Sequence, residues 1–348
     1  MTPILSLQLQ KAYERRRNTA EIRRTAFRER MAERDPQLAD MLRQRQAQGL
    51  RRVMSALGGE TAPADAASEW QPEALDAAIE ARFLAIEAEH GFQPWHCSRC
   101  CDTGIYEGDR CSCAADLLTE EEERTGISFP APSGYILEAF DPSLFNDSLS
   151  PDWYGGKTSP LQAASAYRRR VTNYCENFPQ DTASFYFFGP TGTGKTWFIS
   201  AMAHAIRERG YAVSFLRVSA YLDLKERLRV LEHSYYPDEE ELNLARKSVA
   251  VFENAELLVL DDLGAEAGGK QAYSDLVSLL DYRMETGRLP TLLSGNLKPS
   301  EISRQYDERL GSRILRCRLM PLEGDDLRYR LAAKKRERLE VRTEDARS

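Results

Sequence analysis

Phe185-Tyr186-Phe187-Phe188-Gly189-Pro190-Thr191-Gly192-Thr193-Gly194-Lys195-Thr196 is the stretch on which the reading of this chain turns. Four aromatic residues make a short buried strand, and the loop after it follows the pattern G-x-x-x-x-G-K-[ST] in full. Each part has a chemical reason. The glycines at 189, 192 and 194 let backbone N–H groups wrap phosphates with no side chain in the way. The helix expected over Thr196–Arg209 turns its positive N-terminal end toward the same anion. Lys195 is placed to reach β- and γ-phosphates, and Thr196 to ligate magnesium. Pro190, Thr191 and Thr193 complete the loop. The expected ligand is ATP with Mg2+.

Downstream, strands and helices alternate. Strands are expected over 212–218, 257–260 and 289–294, and a helix over 272–286 that stops at Gly287. That alternation implies an α/β domain with a parallel sheet covered on both faces. The run Leu257-Leu258-Val259-Leu260-Asp261-Asp262 is an apolar strand ending in two carboxylates. Asp261 is the candidate to hold Mg2+, and Asp262 the candidate to orient or deprotonate an attacking water. Glu266 lies nearby and could share that second role. Asp262 is one methylene shorter than a glutamate, so slow turnover is expected.

Upstream, the chain changes character. With 348 residues it is long enough for about two domains. Residues 5–57 are rich in Arg, Glu, Gln, Ala and Leu and read as helix, broken at Pro36. A loop follows over 61–68. A second helix is expected over 72–89, with Leu75, Ala78, Phe83, Leu84 and Ile86 on its apolar side. Residues 128–160 carry many Pro, Gly, Ser and Asp and read as a linker. The expected organisation is a helical N-terminal module over 1–127, that linker, an ATPase domain over 161–334 and a charged tail over 335–348.

Five of the seven cysteines crowd between 97 and 113. In a chain with no signal-peptide pattern, such crowding favours metal over disulfides. Cys97, Cys100, Cys111 and Cys113 offer four thiolates at the spacing of a structural zinc site, with Gly104 and Gly108 where a ribbon would turn. Cys101 and His96 remain open as substitutes for one of the four. The net charge of −7 and the acidic stretch 60–89 disfavour a basic coat for duplex DNA. No apolar run approaches the length of a membrane span, so a cytoplasmic protein is expected.

Together, Gly189–Thr196, Leu257–Gly264, Ser294-Gly295-Asn296-Leu297 and Arg309-Leu310-Gly311-Ser312-Arg313 resemble the AAA+ ATPases of the DnaC/DnaI helicase-loader group. The related IstB transposition helpers share the pattern. The resemblance covers about residues 130–330, and Cys100-Cys101-Asp102-Thr103-Gly104 resembles the zinc-bearing region of DnaI-type loaders. It implies that Asn296 takes the sensor 1 position, with its amide on the γ-phosphate or the attacking water. Arg313 takes the arginine-finger position, with Arg309 as the competing candidate, and Arg328 takes the sensor 2 position. A finger acting on a neighbour implies a self-oligomer, with slow hydrolysis by a lone subunit. The helical lid is expected to be short or absent.

The function implied is ATP-dependent loading of the replicative hexameric helicase, with the zinc module gripping that partner and the ATPase domain binding single-stranded DNA. Tyr221, Lys225, Arg227, Arg229, Tyr235 and Tyr236 interleave aromatic and basic groups as a candidate DNA surface. The alternative is an IstB-like transposition helper acting on duplex DNA. A small-molecule P-loop kinase and a zinc-bearing DNA-binding regulator fit the residues less well.

Overall fold

A computed structural model describes residues 6–56, 72–264, 269–334 and 336. Glu266, the loop expected over 61–68 and all of the 335–348 tail except residue 336 lie outside the described residues. Two compact units divide the chain. One comprises Met1–Pro3 with Gln10–Cys111, the other Ile4–Leu9 with Ser112–Ser348.

Three helices build the first unit: α1 (Leu7–Arg34, from Gln10 onward), α2 (Pro36–Ala56) and α3 (Pro72–Glu89). Proline at the first position of α2 sacrifices no hydrogen bond, and the Asp35 carboxylate caps it by accepting the Leu38 N–H at 2.7 Å. Phe27, Met31, Leu38, Ile79 and Ile86 form its buried core. The seam of α3 is therefore Leu75, Ile79, Phe83 and Ile86, spaced to lie on one helix face. Leu84 and Ala78 stand outside it and are exposed, which corrects the apolar side expected for this helix. Glu87 accepts from both Arg24 and Arg28 beside that seam. A two-stranded ribbon follows, β1 (Ile105–Tyr106) paired antiparallel with β2 (Asp109–Arg110).

The second unit holds α4 (Cys113–Thr125), α5 (Pro160–Glu176), β3 (Phe185–Phe188), α6 (Lys195–Glu208), β4 (Val213–Arg217), α7 (Val218–Glu232), α8 (Glu239–Glu253), β5 (Leu257–Leu263), α9 (Lys270–Asp281), β6 (Thr291–Gly295), α10 (Pro299–Gln305), α11 (Glu308–Ile314) and β7 (Arg318–Pro321). The last turn of the helix expected over 272–286 is a π-turn, Tyr282–Thr286. The five long strands form one parallel sheet in the order β4-β5-β6-β3-β7.

Alternation along the strands separates two cores. Phe185, Phe187, Val259 and Leu292 pack with Val171, Tyr174, Phe198, Met202 and Ile206 of α5 and α6. Tyr186, Leu258, Leu260 and Leu293 pack with Val218, Tyr221, Leu276, Leu280, Ile302 and Ile314 on the other face. The sheet is thus covered by helices on both sides. Because β3 lies between β6 and β7, its carboxyl end opens where the strand order reverses, the place where such sheets bind ligands.

Candidate functional site

The loop after β3 is shaped by backbone that only glycine adopts with ease. Gly189 has φ +142° and Gly192 φ +83°. A Cβ on Gly189 would lie 1.9 Å from the Leu322 carbonyl oxygen, and one on Gly192 would lie 2.1 Å from the Asp326 carboxylate carbon. The loop is therefore clamped from behind by the chain that follows β7. Thr193 donates its hydroxyl to the Pro190 carbonyl at 2.9 Å. Gly194 then leads into α6, whose first N–H groups face the loop.

Lys195 is buried, and its ammonium donates to the carbonyls of Gly189 at 2.8 Å and Pro190 at 2.7 Å. Burial pushes its pKa down to about 8, against the pull of Asp262 and Asp261. The ammonium is thus held by neutral carbonyls inside the loop, and an anionic phosphate is a stronger partner for it than either.

Asp261 sits within β5, and Thr196 Oγ1 lies 3.2 Å and 3.1 Å from its two carboxylate oxygens. Ser294 of β6 donates its hydroxyl to Asp261 and accepts the Asp262 N–H at 3.2 Å. Burial raises the Asp261 pKa, with Ser294 and Thr196 pulling the other way. A hydroxyl and a carboxylate side by side are hard oxygen donors and fit a magnesium ion held together with nucleotide phosphates.

The sequence reading ended this strand at Leu260. The structure continues it through Leu263, with an irregular register between Leu260 and Leu263. Asp262 lies in that irregularity with φ +62°, in the left-handed region. A bulge re-aims the side chain it carries. Here it sends consecutive carboxylates to different tasks, Asp261 to the Thr196 hydroxyl and Asp262 to the cavity wall.

A cavity of about 400 Å³ opens over the loop. Thr191, Gly192, Gly194, Lys195, Thr196, Asp262, Asn296 and Arg328 all line it, so the structure brings most of the predicted residues together. Asn296 stands one residue past the end of β6. Arg313 and Arg309 lie on α11 away from these lining residues.

Residues the sequence reading missed make the apolar wall. Phe140, Phe145 and Trp197 line the cavity, and Phe140 stacks on Phe145 at 5.5 Å between centroids. Phe140 and Phe145 come from the 128–160 stretch, which carries short 3-10 turns and lies in the same compact unit as the sheet. A helix over 327–334 also lines the cavity with Leu327, Arg328 and Leu331, and the Leu327 N–H donates to the Gly192 carbonyl at 2.9 Å. Lys334 of that helix reaches Asp141 at 2.7 Å. Phe140 and Phe145 gave no periodic signal, because they act singly from irregular chain.

In the cysteine segment, the sulfurs of Cys97, Cys100, Cys111 and Cys113 lie within 4.8 Å of one another, and those of Cys97 and Cys111 are 3.7 Å apart. A tetrahedron with Zn–S bonds of about 2.3 Å has edges of about 3.8 Å, so the four thiols fit a zinc ion. Cys101 and His96 are outside the group and exposed. Asp102, fully buried, accepts the N–H groups of His96 at 2.9 Å and Cys97 at 3.0 Å and so shapes the turn that carries the first two thiols. About one zinc per chain is expected by elemental analysis, falling sharply in Cys100→Ser or Cys111→Ser. Stoichiometric metal retained by both variants would contradict this site.

The DNA surface expected over 221–236, on α7 and just beyond it, needs correction. Tyr221 is 0% exposed and donates its hydroxyl to Glu253, so it cannot stack on a base. Lys225 pairs with Glu253, Arg227 with Glu241 and Arg229 with Asp275. Tyr235 and Tyr236 are exposed at 96% and 95%, but Asp238, Glu239, Glu240 and Glu241 follow at once. Local carboxylates neutralise this stretch.

The strand order, the glycine loop and the paired aspartates define a P-loop nucleotide-binding domain of the AAA+ type. Residues 161–335 match the family of IstB-like ATP binding proteins, and the chain belongs to that family. It is 27% identical over 143 residues to the replicative helicase loader DnaI of Bacillus subtilis, covering 40% of this chain and 42% of that protein. It is 33% identical over 112 residues to the ATP-binding protein of insertion sequence IS1162 of Pseudomonas fluorescens, covering 32% of this chain and 43% of that protein. A crystal structure of the DnaC helicase loader, 21% identical, covers 52% of this chain and 99% of its own, with a TM-score of 0.40. The matched stretch spans less than half of these two curated relatives. Among the described residues no helix is long and apolar enough to cross a membrane.

Proposed function

We propose that this protein hydrolyses ATP, slowly and as a self-oligomer, to control the loading of a replicative hexameric helicase onto single-stranded DNA. In this reading Asp262 orients the attacking water, Asn296 holds the γ-phosphate or that water, and Arg328 contacts the phosphates from the 327–334 helix. Arg313 serves the ATP of a neighbouring subunit. The observation that carries the reading is the separate unit Gln10–Cys111, which lies wholly outside the matched family domain. A nucleotide switch needs a cargo-holding part, and this unit, with the cysteine group, supplies one. DnaI and DnaC, to which the ATPase part is similar, are helicase loaders.

A second reading is favoured by one observation, the 33% identity to the insertion-sequence ATP-binding protein. There the protein would act on duplex DNA beside a transposase. Pull-down of the host's replicative helicase by the full-length chain separates the two. A complex that forms with wild-type protein and weakens in Cys100→Ser supports the loader. No complex, with ATP-dependent coating of duplex DNA instead, would replace it with the transposition helper.

A further inference from the structure

One carboxylate grips the arginine proposed to serve a neighbouring subunit. Arg313 of α11 donates Nε to Asp281 Oδ1 at 2.5 Å and Nη2 to Asp281 Oδ2 at 3.1 Å. The two side chains are 20% and 34% exposed, so water reaches the pair without dissolving it. Two parallel bonds from a planar fork fix the orientation of the guanidinium as well as its distance. This side-on pairing engages Nε and Nη2 and leaves the Nη1 edge outside the fork.

The carboxylate has a rigid base. Asp281 is the last residue of α9, and two residues on, Arg283 is fully buried. Arg283 donates to Thr291 Oγ1 at 2.9 Å and to the carbonyls of Glu253, Ala255 and Pro290 at 2.7, 2.9 and 2.7 Å. It ties the end of α9 to the starts of β5 and β6. The charged groups near Arg313 besides Asp281 are Glu285 and Asp307, and Glu285 is itself paired with Arg316 at 2.7 Å. A long, flexible arginine loses rotamer freedom when it docks on a phosphate, and a guanidinium already held by its neighbour loses less.

We propose that Asp281 is a positioning residue for hydrolysis in the adjacent subunit: it holds the Arg313 guanidinium side-on, so that the free Nη1 edge is presented to the ATP of a second copy of this chain. The proposal rests on the reading of Arg313 as an arginine finger. It differs from a parked, inhibited arginine in the sign of the effect. Loss of a positioning carboxylate slows hydrolysis, and loss of a parking one speeds it.

The test mixes full-length variants. A Lys195→Ala subunit carries the finger but cannot grip phosphates, and an Arg313→Ala subunit carries an intact ATP site without a finger. Each alone is expected to be inactive and the mixture active. Asp281→Ala is then added to one partner at a time, with the same-shape Asp281→Asn as a guard against misfolding. Placed in the Lys195→Ala subunit, it is expected to lower kcat of the mixture by about tenfold, with KM for ATP unchanged. The loss is expected only in that placement. A mixture that never regains activity overturns the finger reading and the proposal with it. A mixture that regains activity and is untouched or accelerated by Asp281→Ala in the finger donor overturns the proposal alone. Equal loss in both placements reduces Asp281 to a structural role and overturns it too.

Discussion

Replacing Asp262 by asparagine is expected to lower ATP hydrolysis by about a hundredfold or more, while ATP affinity stays within a few-fold. The magnitude is that of a lost general base or water-orienting carboxylate. Asparagine keeps the shape and loses the charge. It also keeps the backbone, because Asp and Asn both tolerate the left-handed conformation found here at φ +62°. A glutamate has the longer reach that would suit a water-activating group. It lacks the short polar side chain that eases a positive φ, so Asp262→Glu is expected to cost about 1 kcal/mol of stability and not to speed turnover. Single-turnover hydrolysis beside nucleotide titration checks both variants. An Asp262→Asn protein that hydrolyses at the wild-type rate would move the water-activating role to another residue. The paired aspartates thus have a local reason: the bulge in β5 selects the second one, and the Thr196 and Ser294 hydroxyls hold the first.

Arg283→Met is expected to lower stability by about 3–5 kcal/mol. The guanidinium is fully buried with no carboxylate among its hydrogen-bond acceptors: one threonine hydroxyl and three carbonyls take its protons. Burial pushes its pKa down to about 9. Methionine fills part of the volume but leaves the Thr291 hydroxyl and the Glu253 and Ala255 carbonyls without this donor, at the buried starts of the interior strands β5 and β6. By contrast, Arg227→Ala breaks an exposed pair with Glu241 and is expected to cost under about 1 kcal/mol. Urea unfolding of the two variants checks the contrast. Similar midpoints would mean that the loops before β5 and β6 repack without the arginine. Because the same residue anchors the end of α9, Arg283→Met is also expected to loosen the Asp281–Arg313 pair.

Much of this protein was legible in its sequence for a simple reason. Motifs read well where the ligand is held by backbone and by residues close in the chain. The loop Gly189–Thr196 needs glycines, a lysine and a hydroxyl within eight positions, and a strand before and a helix after follow from hydropathy alone. The cysteines behave alike: zinc chemistry demands four soft donors, so spacing alone singled out the four that the fold gathers, although it left Cys101 and His96 open. The alternation of strands and helices also pointed to a parallel sheet, since the helices that cross between parallel strands cover both faces.

The tertiary structure decided what depends on residues distant in the chain. The interleaved tyrosines and cations over 221–236 looked alike in one dimension. Packing on Phe252 buried Tyr221, and carboxylates from α8 and α9 took up its neighbouring cations. Phe140 and Phe145 carry no periodic signal, because two aromatic residues in an irregular stretch become a cavity wall only when folded against Trp197. Ser294 and Asp102 are ordinary polar residues until a strand register or a tight turn aims them at a carboxylate or at two backbone N–H groups. Asp281 gains its partner from 32 residues away. Local chemistry determines which groups a site needs, and close packing across the sheet determines which neighbours hold them.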